Sequence, residues 1–521
     1  MDKNMQKTPG RKYREDLPSD TGKRGETGKY AKGIPLCTEK HAKTRKKRAS
    51  VNNREFAVIT YCFIGLFLCI MGYFAWFQIV KSEDFINNPY NSRQENFEKS
   101  IVRGKILAAG GEVLAETVTD GEGNETRSYP YSNMFSHIVG YSTKDYGRSG
   151  IESWANFNLL RSNTFFLEKT VDRVTEEKSI GDNVITTLDL SLQNAAYQAL
   201  GNYKGAIAVM EPATGKILAM VSKPDFDPNT VAENWDEIVA DENSDSVLLN
   251  RASQGLYPPG STFKILTALE YIRENPGEYQ NYTYNCNGTI QEGSGKLSCF
   301  SGEVHGTVDL ERSFVKSCNT SFANIGLSLD ADRFADTCKE LLFNASLPVE
   351  KLETSKSSFV LNKNSSVSEV METAIGQGKT LMTPLHMMMI AGTIANNGVL
   401  MKPYVIDSTQ NHDGGTVKTY SPTEYGKLMT EEEAKILQEY MKETASSGTA
   451  SKLSGMSYEA YGKTGSAEFG TNKGDSHAWF VGYAHREDKE DIAIAVIVEG
   501  AGSGSGYAVP AAKNVFDIYY Q

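Results

Sequence analysis

The stretch Tyr257-Pro258-Pro259-Gly260-Ser261-Thr262-Phe263-Lys264 decides the reading of this 521-residue chain. Pro-Pro-Gly cannot continue a helix from upstream, so it sets an entry turn. Ile265, Leu266, Leu269 and Ile272 then recur at helical spacing. Ser261 therefore opens a helix, and Lys264 follows three residues later on the same face. Serine is a poor nucleophile unless a base takes its proton. Burial and the positive helix N-terminus both disfavour an ammonium, which makes Lys264 a candidate for that base. The same dipole favours a developing alkoxide on Ser261. Taken alone, Ser-x-x-Lys describes many capping serines followed by solvated lysines.

Two further elements give the pair its meaning: Ser317-Cys318-Asn319 downstream and Lys463-Thr464-Gly465-Ser466 near the C-terminus. Their kinds and order are those of penicillin-recognising serine enzymes. Asn250-Arg251-Ala252, Gly376-Gln377-Gly378 with Thr383-Pro384-Leu385, His477-Ala478-Trp479-Phe480-Val481-Gly482 and Glu211-Pro212-Ala213-Thr214-Gly215 widen the match. Together they resemble the transpeptidase domain of penicillin-binding proteins. Arg103-Gly104-x-Ile106, Gly111-x-x-Leu114-Ala115 and Gly150-Ile151-Glu152 resemble the membrane-proximal module of the class B members. Two positions depart from the pattern. Cys318 stands where the second motif has Asp, which leaves both polar partners in place and adds a thiol near the site. Ala108-Ala109 replace a usual Asp-Arg pair.

The resemblance implies a role for each residue. Ser261 attacks the carbonyl of a D-Ala-D-Ala stem peptide and releases D-alanine; an amine of a second stem peptide then takes the acyl group. β-Lactams would acylate the same serine. Ser317 can relay a proton to the leaving amine, and Asn319 can bond a substrate amide and hold Lys264. Lys463 adds positive charge for the substrate carboxylate, to which Thr464 and Ser466 offer hydroxyls. Gly465 leaves room for backbone approach. The implied oxyanion hole is the backbone N–H of Ser261 with that of Ser466. No cofactor is called for. None of the seven histidines is needed once a lysine serves as base, so His477 reads as structural. The Gly376-Gln377-Gly378 run reads as a turn beside the site, and Met387-Met388-Met389 as helix core.

The charge pattern places this chemistry. The first 55 residues carry 16 Lys/Arg against 7 Asp/Glu, in a chain of net charge −11. An acidic body argues against nucleic acid as its partner. Phe56 to Val80 holds no charged residue, and 25 residues exceed the roughly 20 that cross a bilayer. Tyr73, Trp76 and Phe77 suit one interface, and Lys43, Arg45, Lys46, Lys47 and Arg48 precede the run. The positive-inside rule then makes the N-terminus cytoplasmic and the body extracytoplasmic. Length and the lack of a small-x-small site after the run favour an uncleaved anchor over a signal peptide.

The expected organisation is a disordered basic tail over 1–55, an anchor over 56–80, a membrane-proximal pedestal over 81–180 and a transpeptidase domain over 181–521 of a single-pass bacterial membrane protein. The pedestal carries short strands around Lys105–Leu107 and Glu112–Ala115 and no obvious core of its own. A helix over Leu188–Leu200, strands at Ala206–Met210, Ile217–Val221, Ala478–Ala484 and Asp491–Glu499, and a final helix from about Val509 predict an α+β domain. Its antiparallel sheet is built from distant parts of the chain and flanked by helices. No motif for a glycan polymerase is present, so the resemblance points to a SEDS-type glycosyltransferase as partner. A D,D-carboxypeptidase or β-lactamase would carry the same motifs with water as acceptor. A β-lactam sensor or scaffold would need a cytoplasmic output that the short tail does not offer. Cys286 and Cys299 can bridge a short loop or stand as half-buried thiols, and no Cys/His spacing suggests a metal.

Overall fold

A computed structural model of the chain describes residues 54–77, 100–162, 178–240, 245–469 and 475–521. The expected basic tail, apart from its last two residues, the last three residues of the expected anchor, and segments 81–99 and 163–177 of the expected pedestal lie outside them. In chain order, the elements that matter begin with helix α1 (Arg54–Trp76) and strands β1 (Ile106–Leu107), β2 (Val113–Thr119), β3 (Glu125–Ser128) and β4 (Asn183–Thr186). Helix α2 (Leu190–Leu200), strands β5 (Gly205–Met210) and β6 (Ile217–Lys223) and helix α3 (Lys264–Glu274) follow. Next come β7 (Tyr284–Cys286), β8 (Thr289–Glu292), β9 (Gly295–Ser298), β10 (Gly306–Val308), α4 (Leu310–Val315), α5 (Asn319–Ser328) and α6 (Pro384–Ala395). The chain ends with β11 (Ile406–Gln410), β12 (Thr416–Thr419), α7 (Glu431–Ser446), β13 (Glu459–Glu468), β14 (Ser476–Arg486), β15 (Lys489–Val498) and α8 (Ala508–Tyr519).

Two units separate, Met1–Phe74 and Ala75–Gln521. The first contributes α1, a 23-residue helix whose side chains are exposed along its length. It is long and apolar enough to cross a membrane.

The second unit is organised by an antiparallel five-stranded sheet in the order β6-β5-β15-β14-β13. Chain ends far apart in sequence meet here: Val496 pairs with Ile207 and Val481 with Ala495. Along β15 every residue from Ile492 to Val498 is buried. The sheet is covered on both faces, which is why these strands read as continuous apolar runs rather than alternating ones. Helix α6 packs on one face, with Ala208, Met210, Ala493, Ala495 and Ile497. Helices α2 and α8 pack on the other, with Ile207, Val209, Ile494 and Val496. Met387, Met388 and Met389 are all buried in α6.

A second sheet of six strands runs β12-β11-β4-β1-β2-β3. Its strands come from 106–128, from 183–186 and from 406–419, so it is not confined to 81–180. Ile106, Leu114, Ala115 and Val184 from this sheet join the same hydrophobic cluster as the α6 face of the main sheet, in place of a separate core. Beside it lies a buried ionic cluster. Glu152, with no exposed surface, receives Arg103 Nε at 2.6 Å and Arg127 Nε at 2.7 Å. Arg103 also donates to Asn156 Oδ1, and Arg127 to the Gly104 carbonyl at 2.8 Å. The opposed charges hold the Glu152 carboxyl below its usual range despite burial. Ala108 and Ala109 use their backbones instead of side chains. Ala108 N–H bonds the Glu112 carbonyl, and Ala109 N–H bonds the Leu188 carbonyl at 2.9 Å.

Candidate active site

The turn that carries Ser261 is tighter than the sequence implied. Gly260–Phe263 form a 3-10 turn, and the α-helix begins at Lys264. In a 3-10 turn residues three apart eclipse, so Ser261 and Lys264 still share a side. Several contacts fix the turn. Trp479 Nε1 donates to the Pro258 carbonyl at 3.0 Å, and Thr262 Oγ1 to the Pro259 carbonyl at 2.7 Å. Gly260 N–H bonds the Gly376 carbonyl at 2.8 Å. Gly376 sits at φ +75, and a β-carbon there would lie 2.0 Å from the Gly260 carbonyl oxygen. Only glycine fits both the conformation and the approach. The Gly376-Gln377-Gly378 turn is thus a backbone support one residue from Ser261.

Lys264 has no exposed surface. Its Nζ donates to the Ser317 carbonyl at 2.7 Å, to Asn319 Oδ1 at 2.7 Å and to Ser317 Oγ at 3.2 Å. Lys463, also fully buried, donates to Ser317 Oγ at 2.9 Å. The serine hydroxyl therefore links two lysines. Among the described residues neither lysine forms an ion pair with a carboxylate; the Phe322 ring lies 5.5 Å from Lys264 Nζ and the Phe314 ring 5.6 Å from Lys463 Nζ. Burial pulls Lys264 down to about 7, against the opposing pull of the nearby Cys318 and Cys299 thiols. Burial, and then the charge of Lys264, pull Lys463 well below its ordinary value. Near neutral pH, Lys264 is thus populated in both its charged form and the neutral form that can accept a proton.

Ser317 pays for its position in backbone geometry. Its φ of +56 lies in the left-handed region, which non-glycine residues rarely occupy. That conformation turns both its carbonyl and its hydroxyl toward the lysines. Asn319 starts α5 and spans two groups, accepting from Lys264 and donating Nδ2 to the Ser298 carbonyl at 3.1 Å.

Strand β13 forms the opposite wall. A β-carbon on Gly465 would lie 3.0 Å from the Pro259 carbonyl, and one on Gly260 3.0 Å from the Ser466 carbonyl. The backbones of the Ser261 turn and of Gly465-Ser466 are therefore in close approach. Thr464 Oγ1 donates to Thr449 Oγ1 at 2.6 Å, a partner not anticipated from the sequence, whose only signal was the small polar run Ser446-Ser447-Gly448-Thr449. Arg251 donates to Glu499 Oε1 at 2.8 Å and Tyr257 to the same oxygen at 2.6 Å, tying the entry loop to the end of β15. His477 stacks on Phe469 with ring centroids 4.0 Å apart and accepts from Gly500 N–H through Nδ1. Its contacts are those of a packing residue.

The cysteines differ from expectation. Cys286, Cys299 and Cys318 are buried rather than half-buried, and they gather with His305 behind the Ser317-Cys318-Asn319 turn. No short spacing signalled this, because the four groups come from four separate segments that only the fold brings together.

Residues 205–517 match the penicillin binding protein transpeptidase domain, and residues 103–184 the penicillin binding protein A dimerisation domain. The chain belongs to the penicillin-binding protein transpeptidase family. This penicillin-binding protein is 32% identical over 457 residues to the peptidoglycan D,D-transpeptidase PbpA of Mycolicibacterium smegmatis, covering 83% of this chain and 92% of the relative. It is 28% identical to the peptidoglycan D,D-transpeptidase MrdA of Acinetobacter baumannii, across 76% of this chain and 66% of that protein. Among solved structures, it resembles penicillin-binding protein A of M. tuberculosis in its ceftriaxone acyl-enzyme complex, with TM-score 0.73 and 29% identity over 81% of this chain and 99% of that one. The D,D-transpeptidase domain of a peptidoglycan glycosyltransferase from Eggerthella lenta matches with TM-score 0.71 and 31% identity over 80% of this chain and 97% of that one.

Proposed function

We propose that this penicillin-binding protein is a peptidoglycan D,D-transpeptidase that works through a Ser261 acyl-enzyme. Neutral Lys264 takes the Ser261 proton as the hydroxyl attacks the penultimate D-Ala carbonyl. The backbone N–H groups of Ser261 and Ser466 receive the oxyanion; losing one such donor costs about 3–4 kcal/mol of transition-state stabilisation. Ser317, bonded to both Lys264 and Lys463, passes the proton to the departing D-alanine amine. The acyl group is then transferred to the amine of a second stem peptide. β-Lactams enter by the same attack and remain as the acyl-enzyme. The observation that carries the reading is the pair of buried lysines joined by Ser317 with no carboxylate partner among the described residues. They supply a base near neutral pH and an uncompensated positive charge for the substrate's terminal carboxylate, which Thr464 and Ser466 would bond.

Fluorescent penicillin labelling of wild type and of Ser261→Ala tests the assignment: labelling that persists in the variant sinks it. A pentapeptide donor with an acceptor amine tests the reaction. Cross-linked dimer is expected, whereas D-alanine release without dimer makes the protein a carboxypeptidase. The basic cluster before α1 supports a cytoplasmic N-terminus and an extracytoplasmic catalytic unit. The family resemblance and the anchor support a SEDS-type glycosyltransferase as the partner that supplies glycan.

A further inference from the structure

We propose that residues 499–506 form a strap that holds the two halves of the oxyanion hole in register, with Glu499 and Gly504 as its positioning residues, a proposal that rests on Ser261 being the nucleophile. The two donors of that hole come from different parts of the fold. The Ser261 N–H belongs to the turn before α3, and the Ser466 N–H to β13. Such donors work only when both are aimed at one point, so their separation has to be fixed by something that touches both sides. The strap leaves the end of β15 and reaches each side in turn.

Glu499 fixes the first side. Its Oε1 accepts Tyr257 OH at 2.6 Å and Arg251 Nε at 2.8 Å, so one carboxylate oxygen gathers two residues of the loop that enters the Ser261 turn. Tyr257 stands four residues before Ser261, and its backbone is bonded in both directions to Met382, at 2.8 and 3.0 Å. Arg251 donates its remaining nitrogens to the Ser246 and Asp245 carbonyls at 3.1 and 2.6 Å. Both Tyr257 and Arg251 are buried, and the Glu499 charge balances the guanidinium there.

Gly504 fixes the second side. A β-carbon there would overlap the Trp479 carbonyl oxygen and lie 2.6 Å from the Gly465 carbonyl oxygen, so the strap rests directly on the Gly465–Trp479 pair of β13 and β14. Gly504 N–H points at Ser466 Oγ, 3.4 Å away. By taking a lone pair it leaves the hydroxyl proton for the substrate carboxylate. Between the two ends, Gly500 N–H bonds His477 Nδ1 at 3.2 Å, and Gly502 exchanges two bonds of 2.9 Å with Ser476. Trp479 closes the circuit, because its Nε1 holds the Pro258 carbonyl of the Ser261 turn. Glu499 acts through Tyr257 and Arg251, and Gly504 through Ser466 and Trp479.

The test measures acylation of the full chain in detergent by a fluorescent penicillin, resolved into the dissociation constant of the first complex and the rate of the covalent step. Rates are taken per penicillin-titrated site, so misfolded protein does not count. Glu499→Ala and Gly504→Ala should each lower the covalent rate about 100-fold while the dissociation constant stays within about 3-fold of wild type. A phenylboronic acid, whose tetrahedral adduct on Ser261 uses the same hole, should lose affinity by a similar factor. Glu499→Gln keeps an acceptor oxygen in place and should recover most of the rate lost in Glu499→Ala. Tyr257→Phe should cost about 10-fold in wild type and far less in Glu499→Ala, where its bond is already gone. Variants that lose thermal stability but keep the wild-type rate per site, or that weaken the first complex and leave the covalent rate unchanged, overturn the strap. Ser261→Ala is run alongside. Labelling abolished in that variant, with unchanged rates in the strap variants, overturns the strap alone, whereas labelling that persists overturns the Ser261 assignment and the strap together.

Discussion

Replacing Asn319 with aspartate should retune the base without moving it. Asn319 Oδ1 lies 2.7 Å from Lys264 Nζ, so the substitution puts a carboxylate in hydrogen-bond contact with a buried ammonium. At an effective dielectric of about 20, Coulomb attraction at that distance is about 6 kcal/mol, before the carboxylate's own desolvation is subtracted. Close pairs of this kind move a pKa by about 1–3 units. The direction is upward, because the opposite charge favours the ammonium. Lys264 titrates at about 7 in the native site, so its midpoint should move to about 8–10. At pH 7 the neutral fraction, and with it the acylation rate, should fall about 5- to 500-fold, and it should recover as pH is raised through the new midpoint. The assay is the second-order rate constant for acylation by a fluorescent penicillin, measured from acid to alkaline pH. Wild type should lose activity as pH falls through about 7, where Lys264 becomes protonated. A uniform loss in the variant, with the midpoint unmoved and no alkaline recovery, would refute Lys264 as the titrating base.

Three further outcomes can be checked. Ser317→Ala removes the acceptor that joins Lys264 and Lys463, and should lower acylation by about 100-fold or more while leaving thermal stability close to wild type. Gly376→Ala forces a β-carbon against the Gly260 carbonyl at positive φ; it should cost about 1–3 kcal/mol in denaturant unfolding and lower acylation more than Gly378→Ala, whose nearest neighbour is the flexible Glu372 side chain. Glu152→Gln leaves two buried guanidinium groups without their anion and should cost about 3–5 kcal/mol by the same measurement, whereas a loss under 1 kcal/mol would show the cluster to be hydrated or rearranged.

The candidate site was legible because its residues stand in short, ordered runs. Ser261 and Lys264 are three residues apart, Ser317 and Asn319 two, and the distances between runs do not matter once the order is right. Strands 205–210, 217–223, 476–486 and 489–498 were legible as apolar runs with a turn signal between the first two. What stayed hidden needed partners far apart in sequence and alike in nothing. Arg103 and Arg127 meet Glu152 across 49 and 25 residues, and neither arginine sits in an apolar pattern that would mark it as buried. Cys286, Cys299, His305 and Cys318 come from four separate segments, so no short spacing marks their gathering. The α-helix starts at Lys264 rather than Ser261 because Gly260–Phe263 form a 3-10 turn, a frequent first turn of a helix.

The order of strands in the main sheet has a consequence for biogenesis. β5 and β6 are synthesised some 250 residues before β13, β14 and β15, yet β15 is the strand that sits against β5. Until β15 has left the ribosome, the inner edge of the β5–β6 hairpin has no strand to pair with. Pairings this remote are slow to form and leave apolar edges bare while they wait. β13, the wall that carries Lys463 to Ser466, is also made long after Ser261, so a nascent chain has the serine before it has that wall. The grouping of Lys264, Ser317 and Lys463 is therefore assembled only after β13 has joined the sheet.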